Sequence, residues 1–477
     1  MNNDNKARQA RMVLEAAYNA WQRLAPVRER RRRYARYTYG DQWSDLTTSR
    51  RGEIMTEHDK ALTEGRMPLT NNLIRRLVKA VIGRWRTDNE PDRATKQPAD
   101  DNSLEHWIEF NSLYETDART LEEFLISGMA VHRVGREKRQ AGEGVWVDNV
   151  SPDRFFISAV TDSRCRDMEL VGRITDMSLG EVIMRFARGD RKRAMMLRRL
   201  YGAIAGAGRR NVALAPETDE SFFHAPEGRC RVIEVWTLEC RETLRCHDPL
   251  TAVYTVSGID RQDAIDAENS RRRAEGMPLI DSRWEMTSMW HCRIMAPDGT
   301  LLDEYDADTA GGGPPFAVKL YPMVDGDVHS LVEDVIDQQR YVNRLISLMD
   351  KMMNSAAKGV LLYPQRCKID GQSWEEIGEL WSDPEGVIPY HDHGTCEPHQ
   401  VVTPAADIGA REMLTTQIKM FEEVSGISDA LLGKAGTGVV GVERYESQVR
   451  NASIAVCDIL RTFGDFVARR NRLISRA

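Results

Sequence analysis

DVIDQQRYVNRLISLMDKMMNSAAKG, from Asp334 to Gly359, is the stretch on which the reading of this chain turns. Val335, Ile336, Val342, Leu345, Ile346, Met349, Met352 and Met353 return at three- and four-residue steps, the period of one helix face. The spacing predicts one long helix. Gln338, Gln339, Asn343 and Asn354 then pose a question, because they punctuate that helix with amides. Two readings follow. Either the helix packs on the core of its own domain, or it packs partly against copies of itself.

Working outward, the bulk of the chain sets limits. Its 477 residues, 41% hydrophobic and 29% charged, suffice for roughly three domains with real cores. A net charge of −7 excludes a globally basic nucleic-acid binder. No run of about 18 apolar residues occurs, so neither a spanning helix nor a membrane partner is expected. The opening MNNDNKARQARMVLEAAYNAW lacks the apolar core of a signal peptide, and a soluble intracellular protein is expected. The eight cysteines are scattered. Cys230, Cys240 and Cys246 lack the paired knuckles of a zinc ribbon, so free thiols used in packing are expected.

Residues 6–37 read as a basic helical start. Its six arginines between Arg28 and Arg36 suit either a phosphate grip or a solvated face. GDQW (Gly40–Trp43) is a turn that sends Trp43 to a core. RMPLTNNLIRRLVKAVIGRW reads as a helix opening after Pro68, striped by Leu73, Ile74, Leu77, Val78, Val81 and Ile82. SLEHWIEFNSLYETDARTLEEFLISG reads as another helical stretch. The period then switches to two, with MAVHRVGRE and GVWVDNV flanking KRQAGE as a hairpin. Ser178 and Glu181 form a capping box that starts a helix. RVIEVWTLECRETL and LTAVYTVSG open a second β region. In DSRWEMTSMWHCRIMAPDGTLLDEYD, Trp284, Met286, Ser288, Trp290, Cys292 and Ile294 alternate onto one face, and Pro297-Asp298-Gly299 supplies a hairpin turn. A small β module thus stands between two helical segments. Beyond the long helix come GVLLYPQ, SWEEIGELW, a helix near 410–424, the loop LLGKAGTGVVG and a helix from Val442 onward. The helical pattern runs to Ala477 without a stop signal, so a natural extension past Ala477 is expected.

The search for chemistry is mostly negative. Gly433-Lys434 suggests a phosphate loop, but Ala435 replaces the magnesium-holding hydroxyl and Ser428 stands where the first glycine belongs. His391, His393, Cys396 and His399 crowd one loop at a spacing that matches no common zinc module. A surface loop is the preferred reading, with a metal-binding module as the alternative. No carboxylate set or nucleophile turn supports catalysis, so neither an enzyme nor a cofactor is expected.

The order of parts resembles tailed-bacteriophage portal proteins of the short-tailed-phage kind. YARYTYGDQW followed by NNLIRRLVKAVIGRW is similar to their opening. NVSPDRFFISAVTDSRCRDMELVGRITDMSLGEVIMRF is similar to their wing region, with a Val-x-Pro-x-x-Phe strand, an Asp-rich turn and a short helix. VHSLVEDVIDQQRYVNRLISLMDKMM resembles the stem helix, marked by Gln339, Asn343 and Ser347. EEVSGISDALLGKAGTGVVGVERYESQ resembles a later glycine-rich loop between helices. The resemblance covers about Tyr34 to Gln448. It departs in length, because many relatives continue into a crown or helical barrel.

That resemblance implies an α+β portal-type fold. Its parts would be a wing over 1–260, a first stem segment over 261–279, a β-rich clip over 280–322 and a second stem helix over 328–359. A wing return over 360–441 and a C-terminal helix over 442–477, with the crown short or absent, would complete it. It also implies a dodecameric ring in the virion, assembled in the host cytoplasm, around double-stranded DNA. Terminase, adaptor and tail proteins, and major capsid and scaffolding proteins, would be its partners. Lys434 and Arg444 are the channel candidates, with an ordinary surface loop between wing helices as the alternative. Asp334, Asp337, Gln338, Asn343, Leu345 and Ile346 are the inter-subunit candidates of the stem, and Trp284, Trp290 and Cys292 those of the clip.

Overall fold

The computed structural model describes residues 3–49, 51–89, 103–139, 142–211, 222–307, 313–358, 360–382, 386–392, 394, 397–401, 409–426 and 454–477. The chain is mixed α and β and divides into two compact units. One comprises residues 1–32, 85–330 and 458–477, the other residues 33–84 and 331–457.

The first unit is built on an antiparallel sheet in the order Leu301–Asp306, Asp281–Met295, Cys230–Asp248, Leu170–Met177, Phe155–Ile157. Val253–Gly258 also pairs with Cys230–Asp248. Period-two alternation sends successive side chains to opposite faces. Phe155, Val171, Val232, Trp236, Cys292 and Ile294 go to one side, where they join Phe316 and Val318 of a second sheet. Phe156, Ile174, Ile233, Val235 and Met295 go to the other, under Leu14, Ala17 and Trp21 of the helix Asn3–Arg23. The second sheet runs Phe316–Leu320, Met129–Arg139, Gly142–Asn149. Its hairpin pairs as far as Arg139 and Gly142, so the strands absorb most of the stretch expected as loop.

The helical stretch before this hairpin breaks in two, Leu104–Phe110 and Leu113–Ser127. Asn111 causes the break. Its amide donates to Val145 O (2.8 Å) and its carbonyl accepts from Val147 N (2.9 Å), adding a side-chain rung to the sheet edge. Ser112 beside it takes a left-handed φ of 50°. The second piece ends at Gly128, where a Cβ would sit 1.8 Å from the His329 carbonyl oxygen, so only glycine fits. The capping box at Ser178 and Glu181 is present as expected.

Much of the arginine run is tied into the protein, while Arg32 and Arg36 stay exposed. Within the first unit, Arg28 stacks 3.7 Å over the Trp21 ring and donates to Trp21 O. Arg31 holds Glu123 through two bonds of 2.7 Å and Asp153 through one of 2.8 Å. In the second unit, Arg33 and Arg36 pair with Asp45.

The second unit answers the question of the amides. Its long helix, Leu331–Lys358, packs beside Ala410–Ser425 and carries Gln339, Asn343 and Ser347 four residues apart on one face. Ser347 Oγ accepts from Leu69 N (3.1 Å) and Asn343 Oδ1 from Asn71 N (3.0 Å). Gln339 Oε1 accepts from Leu73 N (2.8 Å) and Ile74 N (3.3 Å), while its Nε2 donates to Asn71 O (2.7 Å). The spacings match, because four helical residues advance about 6 Å and two extended residues about 6.6 Å. The chain from Leu69 to Leu73 therefore lies along the helix as a strand lies along a sheet. This also moves a boundary. The helix expected after Pro68 starts at Leu73 and runs to Asn89, with its first amide groups satisfied by Gln339 and its Arg75 N bonded to Asn72 Oδ1 (2.9 Å).

Candidate assembly surface

Asn343, expected at a neighbour or the channel, is instead used up inside its own chain. It is 2% exposed and also donates to Gln42 Oε1 (2.6 Å). Leu345 is buried in a single chain and Ile346 is half-buried. Asp334 and Asp337 are exposed, and Gln338 is half-buried with an Oε1 that has no hydrogen-bond partner. Tyr341, Leu348 and Met353 are the large apolar side chains left exposed on this helix; the stripe expected from the sequence included Met353 and passed over Tyr341 and Leu348.

Trp290 and Cys292 are buried at 7% and 0%, as their shared face predicts. Trp284, on the same face, is 54% exposed. The difference lies in what the strand runs past. Trp290 and Cys292 pair opposite Leu238 and Trp236 where the strand enters the body of the sheet, whereas Trp284 lies farther out on an edge strand of the arm, opposite Leu244, which is itself buried. There Cys240–Asp248, Val253–Gly258 and Asp281–Ser288 form a three-stranded arm.

One face of the arm carries the helix Gln262–Ala274. Arg272 clamps it with bonds of 2.7 and 2.9 Å to Asp248, and Asn269 exchanges two hydrogen bonds with the Ile280 main chain. Residues 261–279 thus hold a short helix folded on the arm. The 280–322 segment does not stand as a module of its own, because Asp281–Met295 pairs with Cys230–Asp248 throughout and Phe316–Leu320 belongs to the second sheet. The arm leaves Leu250, Val253, Tyr254, Val256, Trp284 and Met286 exposed, with Tyr254 and Val256 on the face opposite Trp284 and Met286.

The body below the arm is closed by charge. Glu234 accepts from Arg133 and Arg173, each at 2.9 Å, and so joins the two sheets. Burial alone would raise its carboxyl, but these guanidinium groups overcome burial and hold it at about 2. Asp148 is likewise held well below the usual carboxylate range against the pull of burial, by Arg139 and Arg173. Glu137 takes bonds from Arg133, Arg139 and Arg185. Carboxylates fixed in this way are structural ties, with no tendency to take up protons near neutrality. His132 is fully buried with Nε2 2.7 Å from Thr120 Oγ1, and its Nδ1 has no partner. Burial, reinforced by the nearby Arg470 charge, pushes its pKa well down.

His391 and His399 lie exposed, while His393 and Cys396 fall outside the described residues. No group of three or more His, Cys, Asp or Glu side chains suited to a metal ion occurs among the described residues. Lys434, Arg444 and their loop also lie outside them. No described helix is long and apolar enough to cross a membrane. Compared with known families, residues 14–469 match the model of the Phage P22-like portal protein family. No curated protein matches the chain.

Proposed function

The chain belongs to the P22-like phage portal protein family, and from that premise we propose that twelve copies form the ring at one vertex of the capsid. Double-stranded DNA enters along its axis under a separate terminase ATPase and leaves by the same route at ejection. Adaptor and tail proteins dock on the ring after packaging, and capsid and scaffolding proteins surround it. The chain supplies no catalytic step.

The observation that carries this reading is the family match over nearly the whole chain. The arm extends it. Its exposed Tyr254, Val256, Trp284 and Met286 form the clip, where copies meet and terminase and adaptor dock. The long helix is the stem, with Tyr341, Leu348 and Met353 toward neighbours. Asp334 and Asp337, exposed on its polar side, face neighbours or the axis. Net acidity suits a conduit, because extensive phosphate neutralisation would hold DNA through counterion release and oppose sliding. Lys434 and Arg444 make the transient phosphate contacts.

Because Cys240 and Ser288 sit directly opposite each other, residues 241–287 can be excised and the ends joined by an Asn-Gly turn. The shortened chain is expected to fold, with its buried network intact, and to lose DNA packaging and adaptor binding. A shortened chain that packaged DNA and bound its adaptor would defeat the assignment of the arm.

A further inference from the structure

The helix Arg191–Asn211 stands apart in charge. It holds seven arginines and lysines and no carboxylate, in a chain whose net charge is −7. Its inner face is anchored. Leu197 and Tyr201 are buried in the core that the two sheets share, and the Tyr201 hydroxyl donates to Arg231 O (2.9 Å). Several cations around its start are tied as well, Arg185 to Glu137, Arg188 to Asp303 (2.9 and 2.8 Å) and Arg193 to Leu302 O. Arg191, Lys192, Arg198 and Arg199 differ. All four are exposed, with no ion pair and no side-chain hydrogen bond to any described residue.

Their order makes a banded face. Seven helical residues advance about 10.5 Å and return to within about 20° of the same direction. Arg198 therefore lies above Arg191, and Arg199 above Lys192. Met195 and Met196 fall between the two tiers and are 48% and 45% exposed. Gly202 and Ala203, also exposed, continue both columns with almost no side chain. Two cations, two methionines and two cations thus follow one another along an anchored helix.

We propose that this face docks an acidic amphipathic helix of another protein. Met195 and Met196 lie under the apolar residues of that helix, and the two cation tiers meet carboxylates one turn to either side. This contact does not depend on the ring reading given above.

Charge and apolarity together select the occupant. Four uncompensated cations call for an anionic partner, because complementary charge steers association and fixes register. DNA would satisfy the two tiers but would lay hydrated phosphate and sugar over the methionines. Thioether side chains adapt to the apolar face of a helix, and surfaces that receive helices use them in this way. A helix also has the matching period, since its own residues seven apart lie about 10.5 Å apart on one side. A second copy of Arg191–Asn211 would set like charges against each other. A lipid surface needs a broad apolar face to insert, and here Leu197 and Tyr201 are turned into the core.

Titration of the full chain with four labelled probes tests the contact. The first is a synthetic helical peptide with glutamates at seven-residue intervals and a leucine pair between them. The second has the same composition in shuffled order. The others are a short DNA duplex and vesicles of phosphatidylcholine with phosphatidylglycerol. The patterned peptide is expected to bind at least about tenfold more tightly than the shuffled one. Arg191→Glu with Arg198→Glu, and Met195→Ser with Met196→Ser, should each weaken it at least about tenfold. All four positions are exposed, so both variants should unfold at the wild-type temperature. Added salt should weaken the wild type and the methionine variant alike and leave the charge variant nearly unchanged.

A preference for the patterned peptide below about tenfold would reduce the face to a diffuse cationic surface and overturn the contact. A methionine variant that binds as the wild type does would remove the apolar centre from it, with the same result. Duplex or vesicles that bind more tightly than the patterned peptide, and lose that binding in the same variants, would give the face to nucleic acid or lipid instead.

Discussion

The strand Cys230–Asp248 has two halves with opposite fates. Its first half, Cys230–Trp236, is buried on both faces, beneath an N-terminal helix on one side and a second sheet on the other. Its second half keeps the same partner and the same alternation, yet exposes apolar residues on its neighbours. Pairing and pattern are common to both halves, so only cover differs. Cover in the first half comes from the chain's own elements, fixed by the bonds of Arg133 and Arg173 to Glu234. In the second half, one helix covers part of one face and the rest stays open.

The sharpest way to break the comparison is to strike the closed half. Glu234→Gln leaves Arg133 and Arg173 buried without their shared counter-charge. A cost of about 3–5 kcal/mol is expected, read as a fall in the urea midpoint of the unassembled chain. A loss below about 1 kcal/mol would mean that the network does not close the body.

The long helix gives an intermediate case, in which polar residues are the ones inside. Gln339→Ala orphans the amides of Leu73 and Ile74 and should cost about 2 kcal/mol by the same measurement. An unchanged midpoint would show that the Leu69–Leu73 segment does not depend on that rung. Leu345 is buried in a single chain, so Leu345→Asp should unfold the chain rather than merely block assembly.

Acid sharpens the same contrast in two stages. His132 has a folded pKa below its unfolded value near 6.5, so the unfolded chain takes up the proton first. Its contribution is whole above about pH 6.5 and falls as pH drops toward the folded value. Glu234, at about 2 when folded, contributes fully above its unfolded value of about 4.3 and loses that contribution as pH falls toward 2. His132→Phe should flatten the first stage of a Tm-against-pH curve and leave the second. A first stage that survives the substitution would place its origin elsewhere.

The smallest effect belongs to the open half. Trp284→Ser should change the stability of the unassembled chain by no more than about 0.5 kcal/mol while weakening assembly. Equal damage to both would mean that Trp284 is covered within its own chain.

Local signals were legible in the sequence. The capping box at Ser178, the hairpin of Met129–Arg139 with Gly142–Asn149 and the helix Leu331–Lys358 rest on short-range chemistry, and each formed where the pattern placed it. What escaped depends on distant partners. Nothing near Asn343 announces that its amide will meet Asn71 and Gln42, and nothing in the arginine run names Glu123, Asp153 or Asp45. The arm escaped for the same reason. Alternation put Trp284, Trp290 and Cys292 on one face correctly, but it carries no information about how far the cover over that face extends.

The most direct test is an image of the assembled full-length chain by electron microscopy. The account predicts a closed ring of twelve copies around an axial opening, with the arms meeting between copies and Trp284 covered there. A compact monomer at every concentration, or a ring whose arms stand apart with Trp284 open to solvent, would contradict it.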